Sequence, residues 1–242
     1  MLRAAPSARV LSALKPPDLV TAAEILLDGG VVALPFNGMF ALFGDLEQPH
    51  VHQRLLDAKN RPADKRIAQV TLPEHAHELA DFSRMAHSEE DVLALWQELH
   101  GLGIIVPATR RCHALQAAAQ EIDGTTLLVW TEFQPMRVVL EHFRAFGGLA
   151  LFGTSANKSG LQTYTTVRDV YRDFFNEVDA IVADDFTHLP EQRRRSTTIV
   201  DLSGTYPRLH RPGSVRVSEL QAALSRHGFG LLRIGPSHAP AA

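Results

Sequence analysis

Apolar residues in this chain fall in short bursts, separated by stretches with a helical repeat. Val31-Val32-Ala33-Leu34-Pro35 is a continuous apolar run directly after Gly29-Gly30, as expected of a buried strand entered from a turn. Similar short runs occur at 67–72, 103–106, 126–130, 149–153, 180–183 and 197–200. The stretches between them carry helix signals. Pro16-Pro17-Asp18 opens a helix with Asp18 as cap, and Gly29-Gly30 stops it. Pro49 to Lys59 places Val51, Leu55 and Ala58 on one face. Ser88-Glu89-Glu90-Asp91 starts a capped helix through Leu99, with its acids complementing the helix dipole. Pro135 to Phe146 stops at Gly147-Gly148, Thr166 with Asp169 opens a helix through Phe175, and Ser218 opens a last one. Short strands alternating with helices predict an α/β class. No composition break or internal repeat divides the chain, so a single domain is expected over residues 18–230, with flexible tails at 1–17 and 231–242.

A chain of 242 residues that is 45% hydrophobic and 21% charged can bury a substantial core. Its formal net charge of −3 gives no sign of a polyanionic partner, so any nucleotide or nucleic acid must be met by a local basic patch. The single cysteine, Cys112, excludes an internal disulfide and a thiolate-rich metal site, and reads as a packing residue. No apolar run is long enough for a membrane-spanning helix, and a cytoplasmic protein is expected. Arg3, Arg9 and Lys15, with two serines and no acid, make a weak targeting-like segment that reads as a frayed tail. The 12 histidines include the pairs His50/His52 and His75/His77. Both pairs sit in helical patterns, where residues two apart do not share a face, so no metal site is expected.

Four basic or hydroxyl-rich segments carry candidate chemistry. The run from Asp57 to Arg66 holds Lys59, Arg61, Lys65 and Arg66, four cations in ten residues at the end of a helical pattern. Lysine supplies a compact charge and arginine a planar fork, which suits a phosphate or carboxylate. Gly153-Thr154-Ser155-Ala156-Asn157-Lys158-Ser159-Gly160 follows a buried strand and puts hydroxyls and an amide at a strand end, where α/β sheets bind ligands. Such residues also favour plain turns. Arg193-Arg194-Arg195-Ser196-Thr197-Thr198 and His210-Arg211-Pro212-Gly213-Ser214 are further basic turns able to hold phosphates or a nucleic-acid backbone. Neither the Walker loop nor the Gly-x-Gly-x-x-Gly loop occurs.

Taken in order, these segments resemble the YrdC family, the threonylcarbamoyl-AMP synthases. The resemblance rests on Lys59-Asn60-Arg61-Pro62-Ala63-Asp64-Lys65, then Thr154-Ser155-Ala156-Asn157-Lys158-Ser159-Gly160, then Ser196-Thr197-Thr198-Ile199-Val200-Asp201 and Arg211-Pro212-Gly213. The strand Val31–Pro35 and Asp45 also fall where that family has them, and the similarity runs from about Thr21 to Leu224. It implies a single α/β domain of the YrdC/RibB-like kind, a twisted mixed sheet with flanking helices around a basic cavity. It implies ATP with its Mg²⁺, bicarbonate and L-threonine as substrates. The products would be threonylcarbamoyl-adenylate and pyrophosphate, serving N6-threonylcarbamoyladenosine formation in tRNA. Related proteins bind double-stranded RNA. Lys59 and Arg61 would offset the repulsion between a carbamate and ATP as the catalytic pair. Lys65, Ser155, Asn157, Ser196, Arg211 and Ser214 would bind the nucleotide and its anions.

The chain departs from the family on the amino-acid side. Relatives carry Thr-Asp/Glu-Thr/Ala-Val-Tyr/Phe-Gly where this chain has Phe36-Asn37-Gly38-Met39-Phe40-Ala41, so a threonine that helps hold the amino acid has become Phe36. An arginine of relatives' strands is replaced in Leu127-Leu128-Val129-Trp130-Thr131, with Trp130 at its place. Their Pro-Gly-Pro-hydroxyl turn is here Gly101-Leu102-Gly103-Ile104. Phe36, Asn37, Phe40 and Trp130 are therefore expected to line an altered substrate pocket. Two functions remain open at this point. One is a carbamoyl-adenylate-forming enzyme using threonine or an altered acceptor. The other is a non-catalytic relative that binds nucleotide or double-stranded RNA.

Overall fold

The computed structural model describes residues 7–60, 66–117, 123–184 and 195–235. Its centre is a ten-stranded mixed sheet in the order β1-β8-β2-β3-β7-β4-β6-β5-β9-β10. The strands are β1 Arg9–Ser12, β2 Val31–Phe36, β3 Met39–Asp45, β4 Ala68–Val70, β5 Leu102–Pro107, β6 Thr125–Val129, β7 Leu151–Ser155, β8 Ala180–Ala183, β9 Thr198–Asp201 and β10 Arg208–Arg211. The helices are α1 Pro16–Leu27, α2 Pro49–Lys59, α3 Glu89–Glu98, α4 Arg110–Ala117, α5 Gln134–Ala145, α6 Val167–Phe174 and α7 Val217–Arg226. Short 3₁₀ turns lie at Pro73–Glu78 and Phe82–Arg84. The α/β class and the single sheet with flanking helices are as the sequence predicts. The predicted caps Ser88 and Thr166 accept from the backbone N–H of Asp91 and Asp169.

Strand parity divides the apolar residues into two layers. One face carries Phe40, Leu42, Ile104, Leu128, Phe152 and Val200, packed against α2, α3, α6 and α7. These six are at most 1% exposed. Polar atoms on this side are paired among themselves. Thr126 Oγ1 donates to Gln69 Oε1 at 2.6 Å, and Gln116 Nε2 donates to Thr126 Oγ1 and Cys112 Sγ. Cys112 is thus a buried packing residue. The other face carries Val32, Leu34, Phe43, Leu127, Val129 and Ile199. Among the described residues two helices lie on it, α1 through Leu19, Ala22, Ala23 and Leu26, and α5 through Met136, Val139, Leu140 and Phe143. Both sit toward the β8-β2-β3 side. Among the described residues no helix covers the part of this face over β7, β4, β6 and β9, and there the sheet forms a hollow.

Helix α4 and strand β10 were not expected, and three further segments differ from expectation. Residues 9–12 belong to the span expected as a tail, yet β1 pairs in parallel with β8 from Arg9↔Ala180 to Ser12↔Ala183. Four residues are too short for periodicity to reveal, and the sheet edge supplies their hydrogen bonds. At the other end, Leu209 donates its N–H to Arg233 O and Arg233 donates to Pro207 O, so the chain stays tied down past residue 231. The third is β3, which the pattern search passes over. It pairs antiparallel with β2 from Val31↔Gly44 to Phe36↔Met39. The connecting turn is Asn37-Gly38, with φ of +50° and +77°. Positive φ at both positions of a two-residue turn is the geometry that Asn-Gly adopts readily, and it matches the twist of a hairpin.

Asp45, the last residue of β3, is only 4% exposed. Burial pushes its carboxyl up from 3.8 to about 6, against the hydrogen bond it accepts from the Glu47 N–H. A carboxyl raised in the folded state favours the protonated form, so a folding penalty sets in as the pH rises above 3.8, is complete above about 6, and is absent below 3.8. Asp45→Asn is therefore expected to stabilise the protein at pH 8 by up to about 3 kcal/mol. Thermal unfolding at pH 8 and below pH 4 will check this: the variant's advantage should disappear at the lower pH.

Candidate functional site: an open hollow at the end of β7

The site is assembled where the C-terminus of α2 meets the end of β7. α2 ends at Lys59, and Asn60 takes the left-handed conformation that turns the chain away. Lys59 is 2% exposed. Its ammonium donates to Ser155 O, to Ser155 Oγ at 3.1 Å and to Asn157 Oδ1 at 3.1 Å. The connection is reciprocal, because Ser159 N–H donates to Lys59 O and Lys158 Nζ donates to Ala58 O. Asn157 completes the knot. Its Oδ1 accepts from Ser155 Oγ at 2.6 Å, and its Nδ2 donates to the carbonyls of Lys158 and Leu161. The cationic turn and the hydroxyl–amide turn, 98 residues apart in sequence at Lys59 and Asn157, thus form one unit.

The hollow lies on the β7 side of this unit. It spans about 690 Å³ of space, the open solvent at its mouth included. Registers set its floor as rows of side chains. Phe43 pairs with Gly153, and Gly153 with Ala68. Val70 pairs with Val129, Val129 with Gly103, and Gly103 with Ile199. Two of these positions have no side chain. A Cβ on Gly153 would lie 2.5 Å from Val70 Cγ2, and one on Gly103 would lie 3.0 Å from Val129 Cγ1.

Polar groups occupy two corners of this apolar floor. At the first are Thr154, Ser155 and Arg66. Arg66 is held by Asp123 at 2.8 Å and Thr125 Oγ1 at 3.0 Å. Hydrogen bonds from Thr125 and from Arg66 pull Asp123 down to about 2, so it remains ionised beside the guanidinium. At the second corner are Ser196, Thr197 and Arg211. Arg211 donates through Nε and Nη2 to Thr197 O. This corner depends on close backbone packing: Ser214 N–H donates to Ser196 O, and a Cβ on Gly213 would lie 2.1 Å from that oxygen.

Of the residues that the sequence singles out, Ser155, Ser196, Arg211 and Phe36 border the hollow, and Phe40 touches it while packing in the opposite layer. Lys59 and Asn157 do not border it and instead hold the β7 turn. Ser214 Oγ donates to Gly101 O behind the wall. Asn37 sits in the hairpin turn, where its Oδ1 accepts from Thr131 Oγ1. Trp130 is corrected most plainly. Its neighbours Leu127 and Val129 face the hollow, so strand parity turns Trp130 to the other side, where Nε1 donates to Trp96 O at 2.9 Å. Arg61, Lys65, Arg193 and Arg194 lie outside the described residues. Among residues not singled out, Arg66, Thr197, Met39 and Phe43 line the hollow. Arg66 was visible as the fourth cation of its run, and the Asn-Gly turn could have revealed the strand carrying Met39 and Phe43. Among the described residues no group of three or more His, Cys, Asp or Glu could hold a metal ion, and no helix is long and apolar enough to cross a membrane.

The family model for Sua5, YciO and YrdC, described as "Telomere recombination", matches residues 24–213. The chain belongs to this family. The threonylcarbamoyl-AMP synthase of Methylobacillus flagellatus is 30% identical over 160 residues, covering 65% of this chain and 83% of that protein. A putative threonylcarbamoyl-AMP synthase of Mycobacterium tuberculosis is 25% identical over 207 residues, 85% of this chain and 88% of that protein. With identities in this range the chain is a divergent member. The fold resembles that of P. abyssi Sua5 complexed with L-threonine, with a TM-score of 0.78 at 21% identity. That match covers 95% of this chain, which spans only 62% of the Sua5 chain. E. coli YciO has a TM-score of 0.69 at 16% identity, covering 88% of this chain and 97% of YciO.

Two outcomes follow from this geometry. Lys59→Met removes the donor from three acceptors, and is expected to cost about 2 kcal/mol in urea unfolding. Gly213→Ala forces a methyl into the Ser196 carbonyl, and is expected to cost about 3 kcal/mol, read in the same unfolding experiment.

Proposed function

We propose that the hollow binds ATP together with a carbamoylated amino acid, and that the chain catalyses formation of a carbamoyl-adenylate in the manner of a threonylcarbamoyl-AMP synthase. The reading is supported by curated relatives bearing that name. The observation that carries it is the union of the two family motifs through Lys59, Ser155 and Asn157 at the edge of a hollow with two cationic corners. ATP and bicarbonate are substrates in this scheme, and Mg²⁺ travels with the nucleotide.

In the first step the amino nitrogen of the acceptor attacks bicarbonate carbon, and water leaves to give a carbamate. In the second a carbamate oxygen attacks the α-phosphorus of ATP. The bond from the α-phosphorus to the bridging oxygen breaks, and pyrophosphate departs. Both partners are anions, so the barrier is dominated by their repulsion and by the entropy of bringing them together. Arg66 with Ser155 would hold the phosphates, joined by Arg61 and Lys65 of the same basic run. Arg211 with Ser196 would hold the carboxylate of the acceptor. Lys59 would act as a positioning residue, because its bonds fix Ser155. No protein nucleophile enters the scheme. The adenylate would serve N6-threonylcarbamoyladenosine formation in tRNA, which makes tRNA a downstream partner.

The test is pyrophosphate release by the full chain supplied with ATP, Mg²⁺, bicarbonate and single amino acids. Release that requires both bicarbonate and an amino acid is expected. Nucleotide binding in a thermal-shift assay without any release would favour a non-catalytic nucleotide-binding relative instead.

A further inference from the structure

We infer that the turn Asp123-Gly124-Thr125 is a positioning element that sets Arg66 as an anion-holding group of the hollow, with Asp123 as its central residue. The inference rests on the reading above, in which Arg66 holds phosphates. Strand register brings the two segments together. β4 and β6 run parallel, and Gln69 pairs with Leu128. Followed back along both strands, that register puts Arg66 beside Thr125. Strand parity then assigns both to the face of the hollow. Ala68 and Val70 follow Arg66 in the lining, and Leu127 and Val129 follow Thr125. A cation placed just before β4 therefore meets the start of β6 on the ligand side of the sheet.

The contacts there form a closed ring. Arg66 Nη1 donates to Thr125 Oγ1 at 3.0 Å, and Nη2 donates to Asp123 Oδ1 at 2.8 Å. The same Asp123 oxygen accepts from Thr125 Oγ1 at 2.6 Å and from the Thr125 N–H at 3.2 Å. The hydroxyl thus accepts from the arginine and donates to the carboxylate. The turn that presents these groups is itself anchored. Gly124 supplies the left-handed backbone it needs, with φ of +80°, and its carbonyl accepts from the Ala108 N–H at 2.9 Å, just past the end of β5. The carboxylate side chain is 75% exposed and the arginine side chain 23%. An ion pair this wet adds little to stability, and water screens the carboxylate from an anion in the hollow. What the ring supplies is direction. Fixing both terminal nitrogens sets the plane of the guanidinium, so this long side chain does not have to be ordered when an anion arrives.

The test compares KM for ATP and kcat, in the pyrophosphate assay above, across the unaltered chain, Asp123→Ala, Asp123→Asn, Arg66→Ala and the double variant Arg66→Ala with Asp123→Ala. Asp123→Ala is expected to raise KM by about fivefold and to leave kcat within about twofold. A merely structural role would reduce the amount of folded enzyme, which lowers the apparent kcat and leaves KM in place. Asp123→Asn keeps an oxygen that can accept from Arg66 and Thr125, so its KM is expected to stay within about twofold of the unaltered chain. In the Arg66→Ala background the loss of Asp123 is expected to add nothing, because the two act as one unit. An unchanged KM in Asp123→Ala overturns the inference and leaves the adenylate-forming reading intact. So does a KM lowered in both Asp123 variants, since the carboxylate then competes with the ligand, and so does an effect of equal size in the absence of Arg66. ATP binding without pyrophosphate release overturns the adenylate-forming reading alone, and the same comparisons are then made on the dissociation constant for ATP. An unaltered chain that binds no ATP overturns both.

Discussion

A buried ammonium is tolerated in a protein only when its N–H groups find acceptors at once, because the desolvation of an unpaired charge costs several kcal/mol. Among the described residues Lys59 meets that demand at the end of β7, where it donates to Ser155 twice and to Asn157 once. The geometry of the hollow follows from this. The return strand β4 then lies against β7, through Ala68↔Gly153 and Val70↔Leu151. Arg66 enters at that point, immediately before β4, and reaches the same corner as Ser155. The lysine of the basic run thus joins the end of α2 to the turn after β7.

The uneven covering of the sheet does the rest. Helices α2, α3, α6 and α7 seal one face, while α1 and α5 seal only part of the other. An apolar sheet surface left open is costly in water, and it is retained where a ligand is to cover it. The hollow is accordingly an apolar surface with cationic and hydroxyl groups at its margins rather than a polar cleft throughout. That combination fits a ligand with anionic ends and an apolar middle. Membership of the Sua5, YciO and YrdC family is consistent with the polar margins.

The α/β class, the helix boundaries marked by proline and glycine, and the buried strands β2, β5 and β8 were legible from the sequence, because local steric rules and short apolar runs determine them without reference to distant residues. The two motif turns were legible for the same reason, since clustered cations and hydroxyls stand out in a chain of net charge −3. Strand β3 went unseen although Asn37-Gly38 announces its hairpin. Its Met39-Phe40-Ala41-Leu42-Phe43 is apolar on both faces, and a run without alternation carries no period to read. β1 and β10 are four-residue edge strands whose pairing is supplied by neighbours remote in sequence.

By itself the sequence determined which residues were available for chemistry and the order in which they come. Which of them face the hollow was decided only by the tertiary structure. Trp130 and Val129 differ by one position, and the two-residue period of a strand sends one to the core and the other to the floor. Lys59 and Arg66 belong to one basic run, yet the helix end buries the first and the strand start delivers the second to the hollow. Composition and spacing register charge but not direction. Direction is set by the register of strands that meet across a hundred residues of chain.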